Sequence, residues 1–150
     1  MNTLNRGFTL TEVMIVVAIV AILSVIAMPS YSRHVEKGRM TLAKSYLNEA
    51  RQEAQVEFLK TGKYPKQAQD YAVFNHSEYS QYYTLTVTEG SGNNKTKGYK
   101  LSVKPTASNR FGEKGKEVAV LNLSTGEFEY NNCTYQSVCD SMKWTDGKTK

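Results

Sequence analysis

Residues 7–29 read GFTLTEVMIVVAIVAILSVIAMP, and the reading of this stretch decides the fold. Residues 8–28 are apolar apart from a few hydroxyls, and the one charge among them is Glu12. At about 1.5 Å of rise per residue, a helix of this length spans roughly 30 Å, the thickness of a bilayer's hydrocarbon core. No polar face recurs every 3.6 residues, so such a helix seeks lipid or other helices on every side. Pro29 closes the run.

Three readings of the run compete. A secretory signal would end in small residues spaced for cleavage, but Pro-Ser-Tyr-Ser-Arg follows Met28. A plain membrane anchor explains the length and leaves Glu12 without a role. A carboxylate on a spanning helix costs a few kcal/mol and is usually paired, unless it reaches back to water at the interface. The third reading takes in the preceding residues: a short leader with one cation, Arg6, ends at Gly7, and Phe8 and Glu12 follow.

That combination resembles the class III signal of type IV prepilins, closely from Arg6 to about Tyr31. Thr11 departs from the aliphatic residue usual before the Glu. The resemblance implies that residues 1–7 are a leader removed by prepilin peptidase. The cut falls between Gly7 and Phe8, and Phe8 is then N-methylated. Residues 8–28 remain as a transmembrane and polymerisation helix. Inside a filament, Glu12 of one subunit can pair with the new Phe8 amine of its neighbour, which relieves the cost of two buried charges and sets register. The family member that caps the filament typically lacks this acid, so Glu12 implies a position in the shaft.

Downstream, Val35, Leu42, Tyr46, Ala50, Ala54 and Phe58 recur among charged residues with a period near 3.6. Residues 29–62 are read as an amphipathic continuation of the helix, with Pro29 and Gly38 as sites of bending. Gly62 and Pro65 end it. Residues 67–81 carry no clear period and are read as loop with a short helical turn. Tyr83, Leu85 and Val87 alternate with threonines, and Tyr99, Leu101 and Val103 alternate with polar residues. These are two strands, residues 118–123 a third, and Phe128 and Tyr130 lie on a fourth. The expected fold is α+β: a long N-terminal helix, half of it transmembrane, packed on a four-stranded antiparallel sheet within a β head of residues 63–150. This is the architecture the pilin resemblance implies. The strand motifs, Tyr82-Tyr83-Thr84-Leu85 among them, look like those of PilE-type minor pilins, to which DNA-receptor minor pilins such as ComP are related. The cysteine that many PilE-like chains carry just before the third strand is absent.

Cys133 and Cys139 are the only cysteines in 150 residues. His34 and His76 lie far from them in sequence, too few and too scattered for a metal site. An even pair on a chain exported past a membrane reads as a disulfide, and it places the head on the oxidising side. Charge leaves orientation tied, since Arg6 and the starting amine balance Arg33, Lys37 and Arg39 less Glu36. The loop resembles the pilin D-region, a variable and adhesive edge; equally, the bond serves only to pin the last strand. No nucleophile, zinc or paired-carboxylate motif appears, so neither an enzyme nor a cofactor is expected. Gly147-Lys148-Thr149 mimics the end of a P-loop whose first glycine is missing. Asn94 and Asn122 open glycosylation sequons, which arise readily by chance.

The net charge is +5, and residues 90–118 hold an excess of the same size. Lys95, Lys97, Lys100, Lys104, Arg110, Lys114 and Lys116 face only Glu113 and Glu117 there. Such lysines serve solubility and the protection of strand edges. They also suit a DNA strip, with Tyr99 and Phe111 the available stacking partners. The expected function is that of a structural subunit of the type IV pilus, a minor pilin, serving adhesion, twitching motility or DNA uptake. Its expected partners are other pilins, prepilin peptidase, the assembly machinery, and DNA or host surfaces. The expected path runs from the bacterial inner membrane, with the head in the periplasm, to the extracellular filament. The alternatives are a DNA-binding minor pilin of natural transformation and a type II secretion pseudopilin. The latter's calcium site would have to rest on Asp140 and Asp146.

Overall fold

Thr9 starts the first helix. Its hydroxyl accepts the Glu12 amide at 3.3 Å, and its carbonyl accepts the amide of Val13. This is an N-cap, and Thr9-Leu10-Thr11-Glu12 has the residue pattern of a capping box. The computed structural model describes residues 7–89, 98–107 and 113–145, in two compact units, 1–34 and 35–150. Helix α1 (Leu10–Thr61) contributes to both.

In the first unit the apolar side chains are exposed on all sides, and the helix is long and apolar enough to cross a membrane by length and composition. The Ser24 hydroxyl, the kind of group that lipid penalises, donates to the Val20 carbonyl at 2.7 Å. Pro29 lies within the helix and supplies no amide for the carbonyl of Val25.

In the second unit the buried face of α1 comprises Glu36, Met40, Ala43, Tyr46, Leu47, Ala50 and Ala54. The expected face is therefore rotated slightly: Val35 and Leu42 are only half-buried, and Phe58 is 41% exposed. Small alanines at three of these positions bring the backbone close to the core. The helix ends where expected, with Gly62 at φ +74° donating to the Phe58 carbonyl. Two 3-10 turns follow (Ala68–Asp70 and Ala72–Asn75), then a one-turn helix α2 (Ser77–Ser80). The region read as loop is thus mostly short turns, with Val73 and Tyr79 inserted into the core.

The sheet is an antiparallel meander in the order β1 (Tyr83–Glu89), β2 (Tyr99–Pro105), β3 (Ala119–Asn122), β4 (Phe128–Tyr130). Its register sets Leu85 against Val103, Leu101 against Leu121 and Leu121 against Phe128. One face therefore carries Tyr83, Leu85, Leu101, Val103, Ala119, Leu121, Phe128 and Tyr130, all buried in a single cluster with the apolar residues of α1. The fold is α+β, as expected.

A final helix, α3 (Gln136–Thr145), had no counterpart in the sequence reading. Its buried residues are few: Val138, Cys139 and Met142. The two amides just ahead of it, Thr134 and Tyr135, donate to the Glu36 carboxylate of α1 at 2.6 and 3.2 Å. Cys133 and Cys139 form a disulfide, so the bond fastens the first turn of α3 to the chain leaving β4 rather than closing an irregular loop.

Candidate functional site

Two regions carry the chemistry singled out in the sequence: the start of α1 and the outer face of the sheet. At the first, Gly7, Phe8, Thr9 and Glu12 line one concavity. Phe8 is 80% exposed, and the Glu12 side chain is exposed one helical turn beyond it. Thr9, which the sequence reading passed over, fixes where the helix begins.

On the sheet, β2 alternates Lys100, Ser102 and Lys104 on the face opposite the core, beside Thr84, Thr86 and Thr88 of β1. Lys104 Nζ lies 3.8 Å from Glu117 Oε1, and the hydroxyl of the buried Ser102 donates to the same oxygen at 2.8 Å. Lys116 pairs with Glu113 three residues earlier, in an exposed turn that also holds Lys114. Lys100 is half-buried, opposite Asn122 of β3, and has no acidic partner among the described residues. Lys95, Lys97, Arg110 and Phe111 lie outside the described residues. Both of the strip's acids thus stand beside lysines. Spacing alone could not reveal this, because Glu117 reaches across to β2.

The structure supplies aromatic surface the sequence reading did not find. Phe58 at the end of α1 stacks on Tyr64 with ring centres 4.6 Å apart, and Tyr64 lies 5.7 Å from Tyr99 at the start of β2. Residues 41 apart in sequence thereby form one aromatic row.

Tyr46, Tyr71, Tyr79 and Tyr83 belong to the core. Tyr46 stacks on Tyr79 at 4.8 Å, and the Tyr79 hydroxyl donates to Glu49 at 2.6 Å. Burial pushes the Tyr46 and Tyr83 hydroxyls up to about 12, and the bond to Glu49, with burial, does the same for Tyr79. Burial raises Tyr71 further still. Glu53 accepts the amides of Ala72 and Val73 at 2.7 and 3.1 Å, which holds the second 3-10 turn against α1.

Among the described residues no group of His, Cys, Asp and Glu could hold a metal ion. Asp140 accepts a bond from Gln136, and Asp146 lies outside the described residues. His34 is exposed, and His76 sits 5.4 Å from the Tyr79 ring. The Asn122 sequon is occupied by local structure: its Oδ1 accepts the amides of Ser124 and Thr125, shaping the β3–β4 turn.

Comparison with known proteins agrees with this geometry. The family described as "Type IV minor pilin ComP, DNA uptake sequence receptor" matches residues 29–114, and the "Prokaryotic N-terminal methylation motif" matches residues 2–28. A "Fimbrial protein" of Neisseria meningitidis serogroup B is 36% identical over 115 residues, covering 69% of this chain and 67% of that one. A "Type IV major pilin protein PilE1" of Neisseria gonorrhoeae is 35% identical over 116 residues, 69% of this chain and 70% of its own. "Type IV major fimbrial protein FimA" of Dichelobacter nodosus is 41% identical over 51 residues, about a third of each chain. With a methylation motif on its apolar segment, a pilin match across more than half its length and the α+β architecture, the chain belongs to the type IV pilin family.

Proposed function

We propose that this pilin is processed between Gly7 and Phe8, crosses the inner membrane through residues 8–28 and enters the pilus with a head that receives DNA. The leader, residues 1–7, is lost, and Phe8 becomes the methylated first residue. The amphipathic part of α1, residues 29–62, and the head, residues 63–150, then lie on the periplasmic side and later on the filament surface. Thr9 caps the helix one residue from the new amine, so Glu12 stands in the same layer as that charge. An exposed acid in an otherwise apolar segment has one economical use in a polymer, which is to neutralise the amine of the next subunit. Mass spectrometry of pili decides the processing: a chain starting at methylated Phe8 is expected, and an intact Met1 excludes it.

The single observation behind the DNA role is the match of residues 29–114 to a family described as a DNA uptake sequence receptor. It spans the basic strip from Lys95 to Lys114. Phosphate contacts from Lys100, Lys114 and the strip's other cations would supply affinity that falls steeply with salt. A head lacking residues 1–32 should retard duplex DNA at low salt and lose it at high salt; no retardation at low salt removes the role. The relatives named major pilins favour a second reading, a shaft subunit serving adhesion and motility, which needs no DNA contact.

A further inference from the structure

Cys133 and Cys139 are only six positions apart. Chain spacing alone gives such a pair an effective concentration on the order of millimolar. Two features of the head make their pairing depend on more than spacing. On the sheet side, Asn132 takes φ +53°, and its side-chain amide donates to the Glu117 carbonyl at 2.8 Å, which fixes the residue just before Cys133. On the other side, the peptide group that follows Cys133 is held by α1.

Glu36 bears on both cysteines. Its Oε1 accepts the Thr134 amide, which shares a peptide group with the Cys133 carbonyl. Its Oε2 accepts the Tyr135 amide, and the Tyr135 carbonyl in turn accepts the Val138 amide at 2.9 Å, which opens α3. Cys139 stands four residues beyond Tyr135, about one helical turn away. One carboxylate therefore holds the peptide group after Cys133 and the residue from which the turn carrying Cys139 is wound. Glu36 is itself only 1% exposed, a costly place for a charge without donors, and these two amides answer it. Docking of the C-terminal segment and burial of Glu36 are thus one event.

We propose that Glu36 is a positioning residue for the Cys133–Cys139 disulfide: docking of the C-terminal segment on α1 sets the two thiols, and the bond then locks a head whose distant parts have already met. Oxidation runs by thiol–disulfide exchange with a disulfide oxidant. The thiolate of Cys133, the more exposed of the two, attacks the oxidant's disulfide and releases one thiolate. The Cys139 thiolate then attacks Cys133 Sγ in the mixed disulfide, the Cys133–Cys139 bond forms, and the second thiolate leaves. Two electrons pass from the cysteine pair to the oxidant. The coupling is reciprocal: the factor that docking adds to the disulfide is the factor that the disulfide adds to docking. Reduction therefore loosens the hold of Glu36 on α3 and, with it, the seating of Val138 and Met142 in the core. The opposite case is a bond that acts only by restricting the unfolded chain, in which Glu36 and the disulfide are independent. The coupling lies within the head and stands whether or not that head receives DNA.

The test equilibrates the full chain, in detergent, with reduced and oxidised glutathione over a range of ratios, traps free thiols by alkylation and reads the oxidised fraction by mass. Glu36→Ala should lower the equilibrium constant for the disulfide by about tenfold, a factor usual for linked sites. Glu36→Gln keeps one acceptor oxygen and should lower it less, in the same direction. Gly126→Ala, a strained change in the β3–β4 turn, should leave the constant unchanged. From the other side, Cys133→Ser/Cys139→Ser should speed hydrogen exchange of the Thr134 and Tyr135 amides by about tenfold and leave the Leu85 and Leu101 amides of the sheet as they were. An unchanged constant in Glu36→Gln and in Glu36→Ala overturns the proposal, and Glu36→Gln alone decides it if Glu36→Ala does not fold. An equal fall in Gly126→Ala overturns it as well, because the constant then follows the overall stability of the head. Unaltered exchange of Thr134 and Tyr135 in the serine variant removes the reciprocal half of the coupling and overturns it too.

Discussion

The carboxylate of Glu36 lies 2.6 Å from the backbone nitrogen of Thr134, 98 residues further along the chain. Its other oxygen accepts the amide of Tyr135, and Glu36 is only 1% exposed. A carboxylate from the long helix therefore does the work of a local cap for α3, and the positive end of that helix faces it. The C-terminal helix is held by this long-range tie and by the local disulfide from Cys139 to Cys133.

Replacing Glu36 with Ala should then leave two amides without their acceptor and α3 without its anchor. The expected loss is about 2–4 kcal/mol, measured by urea or thermal unfolding of the head with the disulfide intact. Glu36→Gln keeps one acceptor oxygen and should fall between the two. If Glu36→Ala unfolds at the wild-type midpoint, the carboxylate does not anchor α3.

Gly126 combines two constraints. Its φ of +74° disfavours any side chain, and a Cβ there would come within 2.8 Å of an Arg51 nitrogen. Gly126→Ala should destabilise the head by about 1–2 kcal/mol. The two causes separate in a double variant: Arg51→Ala should recover the part due to the clash and none of the part due to φ. Full recovery in Gly126→Ala/Arg51→Ala would assign the whole effect to the arginine.

Three buried tyrosines make the head sensitive to alkali. Tyr46, Tyr79 and Tyr83 have hydroxyls raised from 10.0 to about 12 in the folded chain. The folded state therefore holds their protons more tightly than the unfolded one. Their contribution is complete below pH 10, falls as pH rises from there, and is gone once pH passes the folded value. Unfolding midpoints should drop between pH 10 and about 12, with tyrosinate absorbance rising together with the loss of circular dichroism. Tyr83→Phe removes one of these protons and should shrink the drop. An unfolding midpoint that stays flat across that window would contradict the assignment.

The sequence was most legible where one residue type repeats with one period. The apolar run, the glycine at the end of α1 and the alternation of β1 and β2 each need only neighbours to be read, and the four strands lie where periodicity placed them. Long-range partners were not legible. The anchor of α3, Glu36, lies 98 residues from Thr134, and a helix whose buried residues are Val138, Cys139 and Met142 gives little periodic signal. The rotation of the core face shows in Ala43 and Leu47, which are fully buried where Val35 is half-buried and Phe58 exposed. At the candidate DNA face, composition gave the number of cations but not their neighbours. Tyr64 and Phe58 joined Tyr99 only through the turn at Gly62, and Lys104 met Glu117 only through the pairing of β2 with β3.

That last pairing makes the DNA reading quantitative. Glu117 stands beside both Lys104 and Ser102, on the face where phosphates would approach. A half-exposed ion pair of this length contributes little to folding, so its loss should cost less than about 1 kcal/mol. Its effect on a polyanion is larger, because Glu117 neutralises one of the strip's cations and itself repels phosphate. Glu117→Gln keeps an oxygen to accept the Ser102 hydroxyl and removes the charge. Duplex DNA should then bind several-fold more tightly at low salt, and the slope of log affinity against log salt should steepen by about one. Lys100→Ala should do the reverse, weakening binding to all sequences and reducing the slope by a similar amount. Should Glu117→Gln change neither affinity nor slope while Lys100→Ala reduces both, phosphates meet the strip at its Lys100 end and do not reach Lys104.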